Sequence, residues 1–254
     1  MTTPLDDEAI LAEERRRGRF AGVAAIGSIV ATVATVMVAS AATGGSGLPK
    51  GAPGIDDEEI DRAKVLVDFD ENMTQLAIST GLRCLALLLM IVIGVHLYRV
   101  TRTRDENAVK PWVLYLTFIG PTLMCVSLVV GFVAFGQVAD ELVASGPRTV
   151  ERAKQLIDDS TGLTLAQAGD VAFRIPVALW LAILATSAMK VGLLTRFLGY
   201  WGVAAGASLV ILSGTGDAMM AGWIGSMGIL ALGAWPGGRP AAWDSTEPQE
   251  IEAI

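Results

Sequence analysis

Charge is scarce in this sequence, and so are the residues that most metal binding and catalysis need. Only 18% of the 254 residues are charged, where a soluble domain carries roughly a quarter. There is a single histidine, His96, and there are two cysteines, Cys84 and Cys125. They form no C-x-x-C pair and cannot assemble a Cys/His zinc site, so no metal is expected. Both thiols fall in apolar segments and read as small buried hydrophobes. The net charge of −7 lacks the excess of basic residues that a nucleic-acid-binding face requires. No P-loop, H-E-x-x-H, G-x-S-x-G or glycine-rich dinucleotide fingerprint occurs, so no catalytic residue and no cofactor is expected.

Long apolar runs are what the chain does have. A bilayer core about 30 Å thick needs about 20 apolar helical residues. Six stretches qualify or nearly qualify: about 20–43, 81–100, 112–138, 173–195, 198–213 and 218–235. The last two are short and joined by Gly214-Thr215-Gly216-Asp217, a tight turn. Whether they cross fully or form a re-entrant hairpin, the chain returns to the side it left. The expected fold is all-α: a polytopic transmembrane bundle over 20–235, flanked by tails at 1–19 and 236–254. Long connections at 44–80 and 139–172 lie on one face.

Basic residues near span ends set the orientation. Arg15, Arg16, Arg17 and Arg19 precede the first span, and Arg99, Arg102, Arg104 and Lys110 follow the second. Lys190 and Arg196 border the link between the fourth and fifth. With six spans all of these share one face, while Asp56, Asp57, Glu58, Glu59, Asp61, Asp158 and Asp159 occupy the other. Both termini are therefore expected in the cytoplasm of a bacterium, with the bundle in its inner membrane. The first span also resembles a secretory signal, with Ala39-Ser40-Ala41 as the small-residue site. Its apolar run exceeds the roughly 7–15 residues of a signal core, and its leader carries acids such as Asp6, Asp7 and Glu8. It reads better as a retained span.

The two long connections contain a repeat. Asp61 to Asp68 aligns with Glu151 to Asp158, with five of eight positions identical. Allowing one inserted residue, Arg83 then aligns with Arg174. The unit is span, outer helix, span, and two such units make a parallel repeat. Both outer segments read as amphipathic helices. The first has Asp56 as N-cap, Glu59 three residues on, and Ile60, Ala63 and Val67 on one face. The second follows Gly146-Pro147, with Val150, Ala153 and Ile157 on one face.

Ionisable residues inside spans are functional candidates because burying them is costly. Arg83 and Arg174 each lie just inside the outer end of a span. They serve either as snorkelling residues or as a paired cationic site for an anionic substrate or lipid headgroup. His96, near the inner end of the second span, titrates near neutrality when unperturbed. A proton relay would need a carboxylate within a span, and none is there; Asp170 and Asp217 only border spans. Small residues at helical spacing, including Gly202, Gly206, Gly222, Gly225, Ser226 and Gly228, point to close helix packing. Pro121 and Pro176 would kink the third and fourth spans.

The stretch Leu194-Thr195-Arg196-Phe197-Leu198-Gly199-Tyr200-Trp201-Gly202-Val203-Ala204-Ala205-Gly206 resembles a pattern in bacterial six-span membrane proteins catalogued only as a domain of unknown function. Arg19-Phe20-Ala21-Gly22 and Gly81-Leu82-Arg83 are similar to that family's as well. The resemblance implies the six-span layout and supplies no activity. The long acidic connections depart from the family's usual form. The functional expectation is a non-catalytic bundle. It would serve as a scaffold beside a membrane-protein partner or a second copy of itself, or bind a lipid-like or small molecule through its outer half. The competing expectation is a small-solute transporter or channel using Arg83 and Arg174. An enzyme would need a polar cluster that the spans lack.

Overall fold

The computed structural model describes residues 4–42, 62–144, 146, 148–212 and 214–249. Asp56, Asp57, Glu58, Glu59, Ile60, Asp61 and Pro147, with the first expected N-cap, lie outside them. Among the described residues the chain is helical: α1 (Pro4–Ala42), α2 (Arg62–Glu71), α3 (Met73–Arg104), α4 (Trp112–Ala144), α5 (Val150–Asp159), α6 (Thr161–Lys190), α7 (Arg196–Ile211), α8 (Thr215–Leu232) and a 3₁₀ turn at Ala241–Asp244.

Local chemistry accounts for the helix ends. Thr149 caps α5, its hydroxyl accepting from the Arg152 N–H at 3.3 Å, and Thr195 caps α7 by accepting from the Leu198 N–H at 3.3 Å. Gly233 ends α8 in the left-handed conformation (φ 78°), its N–H donating to the Ile229 and Leu230 carbonyls. Between α3 and α4, the Asp105 carboxylate accepts from the Asn107 N–H at 2.8 Å and shapes the turn.

The helices outrun the apolar stretches that announce them. α1 begins at Pro4 rather than Phe20, so the tail expected at 1–19 is largely helical. The acidic connections hold α2 and α5, and they also supply the first turns of α3 and α6 and the last turn of α4. Arg83 and Arg174 therefore sit well inside helices. Pro121 and Pro176 lie within α4 and α6, which continue past them. Four helices, α1, α3, α4 and α6, are long and apolar enough to cross a membrane. At 1.5 Å per residue, α7 with 16 residues spans about 24 Å and α8 with 18 about 27 Å. Apolar side chains cover the helix exteriors, among them Phe20, Met37, Tyr115, Phe197 and Ile211, each at least 66% exposed. Leaving such side chains in water forfeits roughly 1.5–3 kcal/mol apiece. A hydrocarbon surround removes that loss, and the chain is accordingly a multi-pass membrane protein.

Two compact units partition the chain. The first comprises Met1–Ile29, Ala86–Pro121 and Arg174–Ile254; the second comprises Val30–Leu85 and Thr122–Phe173.

In the first unit, small residues let backbones meet. A Cβ built on Gly22 of α1 would lie 2.9 Å from the Gly228 carbonyl oxygen of α8, a spacing no real side chain tolerates. A Cβ on Gly206 would lie 2.7 Å from the Ala178 carbonyl oxygen, which draws α7 onto α6. The Trp223 indole N–H donates to the Leu198 carbonyl at 2.9 Å and ties α8 to α7. The Trp180 ring meets Trp223 edge-on at 6.4 Å.

The second unit packs α2 and α5 over parts of α4 and α6. Ala63, Leu66, Ala134, Val138, Ala139, Leu142, Ala153, Leu156 and Leu163 form its core, with Phe69 against Phe135 at 4.8 Å. Ala63 and Leu66 of α2 are the repeat partners of Ala153 and Leu156 of α5, and all four are buried in that core. Val150, expected on the buried face of α5, is 43% exposed, and Leu156 takes the inward position.

Candidate functional site

Within the first unit, a cleft of about 650 Å³ opens where α1, α3 and α4 meet. α1 carries Glu13, Arg16, Arg17 and Phe20 into it, one helical turn or less apart. α3 supplies Ile91, Val92, Val95, His96 and Arg99 from its last turns, and α4 supplies Phe118. The lower wall is thus aliphatic and aromatic, and the rim carries three guanidinium groups. Glu13 accepts from Arg16 at 2.9 Å and from Arg17 at 2.6 Å, pairs that follow from the three- and four-residue spacing on a helix. Arg99 is exposed and makes no ion pair among the described residues. An anion entering the cleft would meet one uncommitted guanidinium and two that share a single carboxylate.

His96 lines the cleft and is 94% buried by its 6% relative exposure. Its Nε2 has no hydrogen-bond partner among the described residues. A buried imidazole left in that state costs about 1–3 kcal/mol. Its ring lies 6.0 Å from that of Trp243.

The arginine-bearing ends of α1 and α3 also hold a buried polar network. Arg104, whose side chain is fully buried, bonds the Glu14 carboxylate at 2.5 Å through Nη1 and donates to the Ala242 carbonyl at 3.0 Å through Nε. The Trp243 indole N–H donates to the Leu193 carbonyl at 2.8 Å. Arg239 donates to the Ala231 carbonyl and, at 3.0 Å, to the Leu230 carbonyl, which also accepts from the Gly233 N–H at the end of α8. Burial lowers the Arg239 guanidinium below its ordinary value, and Asp244 works against that shift. Arg15 pairs with Asp244 at 3.1 Å, and the Thr246 hydroxyl donates to Asp7 at 3.1 Å. The segment expected as a tail at 236–254 is bonded to the bundle as far as Gln249, whose N–H donates to the Val191 carbonyl at 3.3 Å. Gly192 makes this possible: at φ +79° it turns the α6–α7 link, and a Cβ there would strike the Gln249 carbonyl oxygen.

The three residues singled out from the sequence meet different fates. His96 lines the cleft. Arg174 is buried instead in the α6–α7–α8 packing, 3.7 Å from the Asp217 carboxylate, with Nη1 donating to the Leu209 carbonyl at 3.4 Å. Asp217, which looked like a mere border residue, is thus its counter-ion. Arg83 is half-buried on the part of α3 belonging to the second unit. The cleft residues of α1 and α4 escaped sequence reading, although Arg16, Arg17 and Phe20 sat at one span edge together. Their meeting with Phe118 depends on helix packing, which local spacing does not encode.

A family model described as Domain of unknown function (DUF4386) matches residues 20–235. No curated protein matches the chain, and no solved structure does. The chain belongs to the DUF4386 family, in keeping with the resemblance carried by Leu194 to Gly206.

Proposed function

We propose that this protein is a non-catalytic six-span bundle of the bacterial inner membrane that holds an anionic amphiphile in the cleft between α1, α3 and α4. The observation that carries the reading is the joining of an apolar wall to a guanidinium rim in one cleft. Its volume of about 650 Å³ falls within the roughly 300–1,000 Å³ of ligand sites. An acyl chain lies against Phe20, Val92, Val95 and Phe118, and a phosphate or carboxylate head meets Arg99, Arg16 and Arg17. Positive charge at the same end of α1 and α3 favours the cytoplasmic leaflet for this end and for both termini. The hairpin of α7 and α8 supplies the fifth and sixth spans, its modest length compensated by local thinning of the bilayer. The matched burial of Ala63 with Ala153 and Leu66 with Leu156 supports descent of α2 and α5 from a parallel repeat. The competing reading, solute transport on an Arg83 and Arg174 pair, loses force because Arg174 already has Asp217.

The test is lipid analysis of the full chain purified in mild detergent from native membrane. Wild type should retain anionic phospholipid above its share of the bulk membrane, and the Arg16→Gln/Arg99→Gln variant should retain at least several-fold less. Identical lipid profiles for the two proteins, both matching bulk membrane, would sink the reading.

A further inference from the structure

The chain has two cysteines, on different helices and 41 residues apart, and in the second unit they meet. Cys84 of α3 directs its Sγ at the Cys125 carbonyl oxygen, 3.9 Å away; Cys125 of α4 returns the contact, its Sγ 3.6 Å from the Cys84 carbonyl oxygen. Each sulfur thus lies against the other residue's own backbone, so both occupy the space between the two helices. A disulfide forms where two Cα atoms come within about 4.4–6.8 Å with the side chains turned toward each other. Reciprocal reach of this kind is how a facing pair looks before the bond is made. Packing alone does not require it, since a small hydrophobe such as alanine would fill either position.

We infer that Cys84 and Cys125 are a redox-active dithiol that closes to an interhelical disulfide, with a lipid-soluble quinone as the oxidant. The setting selects that class of oxidant. Both residues lie in helices apolar enough to cross a membrane, Cys84 between Arg83 and Leu85 and one turn before Leu87 and Leu88, and Cys125 between Met124 and Val126. A charged, water-soluble disulfide partitions poorly into the apolar surround of these helices, while a quinone dissolves in it. Both thiols are only half-buried, so an oxidant in the lipid has access to them. The step balances without a further reactant. Two S–H bonds break, one S–S bond forms, and two electrons and two protons pass to the quinone oxygens, giving one hydroquinone per disulfide. Closure pins α3 to α4 in the second unit. The inference is independent of the cleft reading.

The experiment uses the full chain in phospholipid nanodiscs, reduced, freed of reductant and kept without oxygen. A benzoquinone substituted at all four ring carbons (2,3-dimethoxy-5-methyl-6-decyl-1,4-benzoquinone), which cannot add thiols at an open ring position, is added. The protein is then denatured in SDS, and free thiols are counted with a maleimide. Both thiols should disappear together, with about one equivalent of hydroquinone formed and a monomeric, internally linked peptide in the mass spectrum. Cys84→Ser and Cys125→Ser should each keep their remaining thiol and form no hydroquinone, and the Cys→Ala variants serve the same purpose should serine disturb packing. Glutathione disulfide in place of the quinone should oxidise wild type at least tenfold more slowly. Retention of both thiols in wild type would overturn the inference. So would a link between two chains, thiol loss from the single variants at the wild-type rate, or equal oxidation by glutathione disulfide.

Discussion

The two units solve the burial problem in opposite ways. The second hides aliphatic and small side chains, with Leu66, Leu142 and Ala153 fully enclosed, and its buried hydroxyls donate to backbone carbonyls, Ser79 to Thr35 at 3.2 Å and Ser127 to Ala166 at 3.0 Å. The first buries charge: Arg104 against Glu14 and Arg174 against Asp217, with the His96 Nε2 lacking a hydrogen-bond partner among the described residues. Apolar packing is cheap to make and chemically silent. A buried ion pair recovers its desolvation only through close geometry, and the first unit holds two such pairs. The ligand-sized cleft lies in the unit that carries the buried charge.

Removing half of a buried pair should produce the largest effect. Glu14→Ala leaves Arg104 enclosed without its carboxylate and should cost about 3–5 kcal/mol, read by thermal unfolding in detergent. Glu14→Leu combined with Arg104→Met should recover most of that loss; a double variant as unstable as the single would mean that the network stabilises by more than charge pairing. A lesion in the second unit should cost less. Ala153→Leu, at a fully enclosed position, should destabilise by about 1–3 kcal/mol through overpacking. It should leave the anionic lipid retained per chain unchanged, whereas a parallel fall in retention would erase the contrast between the units. The smallest stability effect belongs to the cleft itself: Arg99→Gln, at an exposed side chain, should shift unfolding by no more than about 0.5 kcal/mol while lowering anionic lipid retention several-fold. Unchanged retention would place the ligand elsewhere or nowhere.

Some of this was legible residue by residue. The long apolar runs locate the long helices α1, α3, α4 and α6 because peptide groups in hydrocarbon must bond internally. The match of Ala63 and Leu66 with Ala153 and Leu156 marks two helices whose equivalent residues share a core. The glycines at 206 and 228 mark contacts where backbones nearly touch. Helix limits were less legible, because a polar first turn such as that of α6 is stabilised by capping, the Ser160 hydroxyl accepting from the Leu163 N–H, rather than by apolar periodicity. Asp217 shows the same limit: adjacent to a turn it looks solvated, and only the approach of α8 to α6 makes it the partner of Arg174. Two cysteines 41 residues apart look unrelated until α3 and α4 place them face to face.

What the linear order of residues determined by itself is the solvent: 52% hydrophobic residues gathered into long runs leave this chain no home but a bilayer, since each run satisfies its own backbone and cannot satisfy its surface in water. What only the tertiary structure decided is which charges are spent and which remain available. Arg104, Arg174 and Arg239 are consumed inside the first unit while Arg99 stays open at a cleft. That division depends on Å-scale distances between helices far apart in sequence, and local periodicity carries no information about such distances.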